Sequence, residues 1–136
     1  MRTVQIDLDI LVEVVDKARI DAQSSKAWVH AINTAYDWLL QTDTVEMVDA
    51  DTVRIPSATV AYRYYQANGS CQCTAYHKGS PCWHRAAARL VKRMLEVQEK
   101  KMQLQADVEA QADAEAQAAR KAAREKAFRE AMELFA

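Results

Sequence analysis

Residues 71–84 read Cys71-Gln72-Cys73-Thr74-Ala75-Tyr76-His77-Lys78-Gly79-Ser80-Pro81-Cys82-Trp83-His84. As spacing this is C-x-C, eight residues, then C-x-H, and it holds all three cysteines of the chain. Three thiols and an imidazole, in two close pairs across a short loop, suit tetrahedral Zn²⁺, whose structural sites are closed by four nitrogen or sulfur ligands. Disulfides suit it poorly. The cysteine count is odd, and the N-terminal MRTVQIDLDILVEV carries acids where an export signal needs a clean apolar run.

On the N-terminal side of this stretch, Ala67-Asn68-Gly69-Ser70 reads as a tight turn, since Asn-Gly supplies the positive φ such turns require. Before it, Thr44–Val48, Thr52–Ile55 and Thr59–Tyr65 read as short strands, the first two separated by Asp49-Ala50-Asp51. A hairpin is therefore expected to present Cys71 and Cys73. On the C-terminal side, Cys82 and His84 open a helix whose positive dipole end helps hold Cys82 as thiolate.

That helix is expected to run to the end of the chain. Trp83, Ala87, Leu90, Met94, Val97, Leu104 and Val108 follow spacings of four and three, with Lys101 interrupting the seam. From Ala106 to Ala127 the sequence becomes low-complexity Ala, Gln, Glu, Lys and Arg, after which Phe128, Met132 and Phe135 form an apolar end. At 1.5 Å per residue, about fifty residues of helix span on the order of 75 Å, so the segment must protrude, break or pair with another chain.

Upstream, Ile6, Ile10, Leu11, Val14, Val15, Ala18 and Ala22 give an amphipathic helix, with strand competing near its start. A second helix is capped by Ser24 or Ser25, carries Trp28, Ile32, Ala35, Tyr36, Leu39 and Leu40 on one face, and breaks at Gln41-Thr42-Asp43. The two form a hairpin, with Trp28, Tyr36 and Trp38 read as core packing. The expected fold is α+β in three segments: a helical region over 1–43, a β-hairpin and helix zinc module over 44–95, and a long charged Ala-rich helix over 96–136. At 136 residues and 15.4 kDa there is room for one ordinary domain, and the 2 Gly and 2 Pro favour helix.

The ligand pattern resembles the SWIM zinc finger, whose signature is C-x-C, a variable spacer, then C-x-H. Tyr62-Arg63-Tyr64 resembles that family's tyrosine-bearing strand, and Pro81-Cys82-Trp83-His84-Arg85-Ala86-Ala87-Ala88 resembles its junction into an Ala-containing helix. The likeness covers about Val45 to Leu95 and departs at Thr74-Ala75, which touches the loop rather than the ligands. It implies Cys71, Cys73, Cys82 and His84 as zinc ligands, with the metal as a folding element. His77 in the spacer competes with His84, but the C-x-H spacing favours His84; His30 reads as an ordinary helical histidine. Stand-alone proteins of this kind and size resemble those of bacterial and phage genomes.

Net charge is −1, with 18 bases against 19 acids, yet the charge is segregated. Residues 1–51 hold ten acids and four bases, whereas no carboxylate lies between Asp51 and Glu96 and that interval holds seven bases. With a zinc–trithiolate centre contributing −1, the module stays near +6. Bases interleaved with Tyr62, Tyr64, Tyr65, Tyr76 and Trp83 have the composition for phosphate contacts and base stacking. The SWIM likeness implies nucleic-acid or protein interaction, the family occurring in transposases, chromatin-remodelling ATPases, recombination factors and ubiquitin-pathway proteins. Expected contacts are Arg63, Lys78, Arg85, Arg89, Lys92 and Arg93, on nucleic acid (DNA first) with little sequence preference. The alternatives are a solvated basic face, or one paired with the acidic N-terminal segment. Blocks of opposite charge in the tail, Asp107–Glu115 acidic and Arg120–Arg129 basic, fit a protein partner or a second copy, the alternative being a solvated, fraying single helix. No Gly-rich phosphate loop, paired catalytic carboxylates or serine triad is found, so a non-catalytic protein is expected. No apolar run reaches the roughly 18 residues of a transmembrane helix, and the expected location is cytoplasmic.

Overall fold

In the computed structural model, which describes residues 1–135, each strand is only four residues long, and the sheet they build is held by what its inward positions bury. The order is β1 (Arg2–Gln5), α1 (Leu8–Asp21), α2 (Lys26–Thr42), β2 (Thr44–Met47), β3 (Val53–Pro56), β4 (Tyr64–Ala67), α3 (Thr74–His77) and α4 (Trp83–Leu134). The sheet runs β1-β2-β3-β4, antiparallel throughout. The α+β class is as expected.

β1 was not expected as a separate strand. Its inward residue Val4 lies opposite Val45, and the Ile6 N–H donates to the Asp43 carbonyl at 2.7 Å, so the α1–α2 hairpin is an insertion between neighbouring strands. Helix α1 starts at Leu8 rather than Ile6 because Asp7 caps it, its carboxylate accepting from the Ile10 N–H at 3.2 Å. Ser25, not Ser24, caps α2, accepting from the Trp28 N–H at 3.3 Å. Asp43 ends α2 at φ 60, a left-handed position that Asp tolerates better than most residues.

Two further expectations are corrected. Thr59–Tyr65 is not a strand: residues 57–63 form a loop closed by Ser57 N–H to the Arg63 carbonyl at 2.8 Å, and pairing resumes only at Tyr64. Tyr62 takes φ 61, which extended backbone excludes. Nor does a hairpin arm carry Cys71 and Cys73. Neither Asn68 nor Gly69 has positive φ; the Asn68 side chain instead accepts from the Ser70 N–H at 2.9 Å in an Asx turn. The chain then leaves the sheet, with Cys71 in irregular backbone and Cys73 at the N-cap of α3.

The chain divides into two compact units, Met1–Gln98 and Glu99 onward. In the first, the sheet's Val45, Met47, Val53 and Ile55 join Leu11 and Val15 of α1, Leu39 of α2 and Leu90, Val91 and Met94 of α4 in one core. Ala86, Ala87 and Ala88 are buried there, and their methyl groups allow this part of α4 to pack closely. In the second unit every described residue is exposed. Its helix rests on propensity and on i,i+4 pairs such as Gln103 to Asp107 at 3.0 Å and Lys126 to Glu130 at 4.0 Å. No helix among the described residues is long and apolar enough to cross a membrane.

Candidate metal centre

Helix α4 brings the second ligand pair to the first. Cys82 precedes it as N-cap, its carbonyl accepting from the Ala86 N–H at 3.3 Å and its sulfur from the Arg85 N–H at 3.4 Å. His84 follows in the first turn. Across from them stand Cys71 and Cys73, which the Asx turn and the start of α3 deliver from the end of β4. The three sulfurs and one imidazole nitrogen lie within 4.8 Å of one another, and all four residues are buried. All three cysteines are free thiols. A single ion can reach every member of this set, so the cluster can hold a metal.

The donor chemistry fits one. Both His84 nitrogens, Nδ1 and Nε2, are buried with no hydrogen-bond partner, an expensive arrangement for an imidazole unless a metal takes up a lone pair. Burial pushes His84 below its usual range, which keeps the ring neutral and able to ligate. Burial likewise pushes the Cys71 thiol up to about 12 and raises Cys82, the latter opposed in part by the Arg85 N–H. Left to the protein alone, these thiols stay protonated; a dication among them reverses that preference.

Aromatic rings wall the cluster. The His84 ring lies 4.2 Å from Trp83 and 4.8 Å from Tyr65, and Trp83 is 5.6 Å from Trp38. Tyr65 and Trp83, expected as stacking residues for a ligand, are thus partly buried around His84. The Arg85 guanidinium lies 5.2 Å from both Trp28 and Tyr76. His77, exposed at the end of α3, and His30, exposed on α2, both stand outside the cluster.

The six expected nucleic-acid contacts divide. Arg85, Arg89, Lys92 and Arg93 line a groove of about 730 Å³ along α4, whereas Arg63 and Lys78 lie elsewhere. Lys92 meets Asp51 at 2.7 Å and Arg93 meets Asp21 at 3.5 Å, which realises the pairing with the acidic N-terminal segment weighed above. Arg63, Lys78 and Arg89 are exposed and have no carboxylate partner among the described residues. Sequence reasoning flagged the acidic segment but not these particular acids, because both pairs are set by tertiary packing. Compared with protein-family models, curated proteins and solved structures, the chain matches none of them.

Proposed function

We propose that the buried Cys₃His cluster holds Zn²⁺ and that the chain is a non-catalytic, SWIM-like zinc-binding adaptor that binds nucleic acid, DNA first, in the cytoplasm. The observation that carries the zinc reading is the closed donor set with its orphaned His84 nitrogens. Three thiols favour zinc over the hard cations, and four protein ligands leave no open position for catalysis. Nucleic acid is supported by the interval from Thr52 to Leu95, which surrounds the cluster without a carboxylate and leaves Arg63, Lys78 and Arg89 exposed and unpaired. Low sequence preference follows, because phosphate contacts carry no base information.

Fluorescence anisotropy of zinc-loaded protein against labelled single- and double-stranded DNA and RNA, at about 50 and 200 mM salt, tests this reading. Salt-sensitive binding that weakens in Arg89→Glu supports it; absence of binding at low salt overturns it.

A second reading is favoured by the exposure of every residue from 99 to 135. The tail helix then serves as a docking element for a protein partner or a second copy, and the basic module only complements the acids of its own chain.

A further inference from the structure

The sheet's outer face and the loop at its edge carry an aromatic and cationic surface separate from α4. In β3 and β4, Val53, Ile55 and Ala67 point into the core while Pro56, Tyr64 and Gln66 are exposed. The Arg54 guanidinium lies 3.8 Å from the Tyr64 ring centroid and is joined at 3.1 Å to Glu46, so this acid is already engaged. Beside them the 57–63 loop is cinched by Ser57, whose hydroxyl accepts from the Val60 N–H at 3.1 Å and the Thr59 N–H at 3.3 Å. It presents Tyr62 and Arg63.

Tyr62 is 99% exposed and sits at φ 61. A left-handed backbone disfavours a residue with a large side chain, and a ring wholly in water gains nothing from packing. The Arg63 N–H donates to the Val60 carbonyl at 3.3 Å and closes a turn with Tyr62 at its third position, which accounts for the positive φ. A large ring held wholly in water, where such turns ordinarily place glycine or asparagine, has no packing partner in the fold and points to a ligand. Tyr64, half-exposed under Arg54, offers a second ring, and Arg63 between them in sequence has no acid partner among the described residues.

We infer that this face binds single-stranded nucleic acid: a base stacks on Tyr62, its neighbour packs against Tyr64 and Arg54, and Arg63 meets the phosphate between them. The inference rests on the nucleic-acid reading above and narrows it. Rings and guanidinium planes accept any base, which gives little sequence preference, whereas the bases of a duplex are already stacked on each other and closed to Tyr62. Two of the cations of α4 are less available, since Lys92 and Arg93 hold Asp51 and Asp21.

The test is anisotropy of the full-length, zinc-loaded chain with fluorescein-labelled dT15, U15 and a 15-base-pair DNA duplex. Asn tolerates left-handed backbone, so Tyr62→Asn removes the ring while preserving the loop, and Tyr62→Phe keeps the ring. Expected are tighter binding of a single strand than of the duplex, a loss of at least about fivefold in Tyr62→Asn with undiminished thermal stability, and retention in Tyr62→Phe. The dT15 and U15 arms distinguish DNA from RNA as the source of the strand. Equal binding by Tyr62→Asn, or a duplex held as tightly as the strands, overturns the inference and leaves the broader reading standing. If the wild-type chain binds none of the three at low salt, that reading falls too, and the face belongs to a protein partner.

Discussion

The Lys92 ammonium lies 2.7 Å from the Asp51 carboxylate, so the last acid before the carboxylate-free interval is bonded to a base near that interval's end. Arg93, the next residue, repeats the arrangement with Asp21 at 3.5 Å. All four side chains keep substantial solvent exposure, and ion pairs of this kind exchange readily with other anions because water and salt screen them. On the nucleic-acid reading proposed above, the two aspartates hold positions that phosphates would take.

Replacing both acids, as Asp21→Asn with Asp51→Asn, should therefore free two cations without disturbing the core. Nucleic-acid affinity should rise several-fold at about 50 mM salt, and the slope of log K against log salt should steepen by about 0.7 for each phosphate gained on a single strand, or about 0.9 on a duplex. Anisotropy across a salt series measures both. Unchanged affinity and slope would remove Lys92 and Arg93 from the binding surface.

The parts of the fold legible in the sequence were those whose cause is local. Ser25 and the Trp28-to-Leu40 stripe define α2, and Cys82 and His84 share the opening of α4 whatever else the chain does. β1 was hidden because Arg2–Gln5 has one inward residue, Val4, whose partner Val45 arrives only after two helices. The turn before the cysteines misled for a different reason: Asn68 can satisfy the Ser70 N–H with its side chain, which removes the need for positive φ. The left-handed residue of the β3–β4 loop is Tyr62, the type least expected there. The four residues of the Cys₃His cluster were readable from spacing, whereas the Tyr65 ring against His84 and the pairing of Asp51 and Asp21 with the bases of α4 depend on packing between distant elements.

The raised thiols make metal binding a proton-releasing step. Cys71, pushed up to about 12, and Cys82, also raised, are protonated at neutral pH, so each loses a proton when it ligates. His84, pushed below 6.5 by burial, is already neutral above that pH and releases none. Log apparent zinc affinity should then rise by at least about two per pH unit between pH 6.5 and 8. Competition against a chromophoric chelator across that range gives the slope, and a value near zero would contradict ligation by these thiols.

Removing one ligand should unfold the module rather than merely weaken it. Structural zinc contributes on the order of 10 kcal/mol to small modules, and Cys82→Ser removes a thiolate while its hydroxyl can still accept from the Arg85 N–H and cap α4, so the loss reports on the metal rather than on the cap. Zinc content should fall below stoichiometry. Because Trp83 packs on His84 and near Trp38, tryptophan emission should shift to the red, while much of the far-ultraviolet helical signal persists from the tail. Chelation of the wild-type protein should reproduce the emission shift. Full zinc content with unchanged emission and circular dichroism would sink the metal assignment.

The tail's charge order specifies how two copies would meet. Asp107, Glu109, Asp113 and Glu115 form an acidic block and Arg120, Lys121, Arg124, Lys126 and Arg129 a basic one, with Glu125 the single acid among them. Two helices crossing antiparallel about Ala118 set each block beside its opposite and bring Leu104 and Val108 level with Met132 and Phe128, all exposed in the single chain. A parallel pair in register aligns like with like and is disfavoured. Ala at the crossing allows close approach but buries little area, so electrostatics should dominate and association should weaken from about 50 to 200 mM salt. Sedimentation velocity at tens of micromolar should show dimer at low salt, and Lys121→Glu with Arg124→Glu should yield monomer of unchanged zinc content. Monomer at every salt concentration would leave the tail to a different partner; a dimer untouched by the charge reversal would put the interface elsewhere.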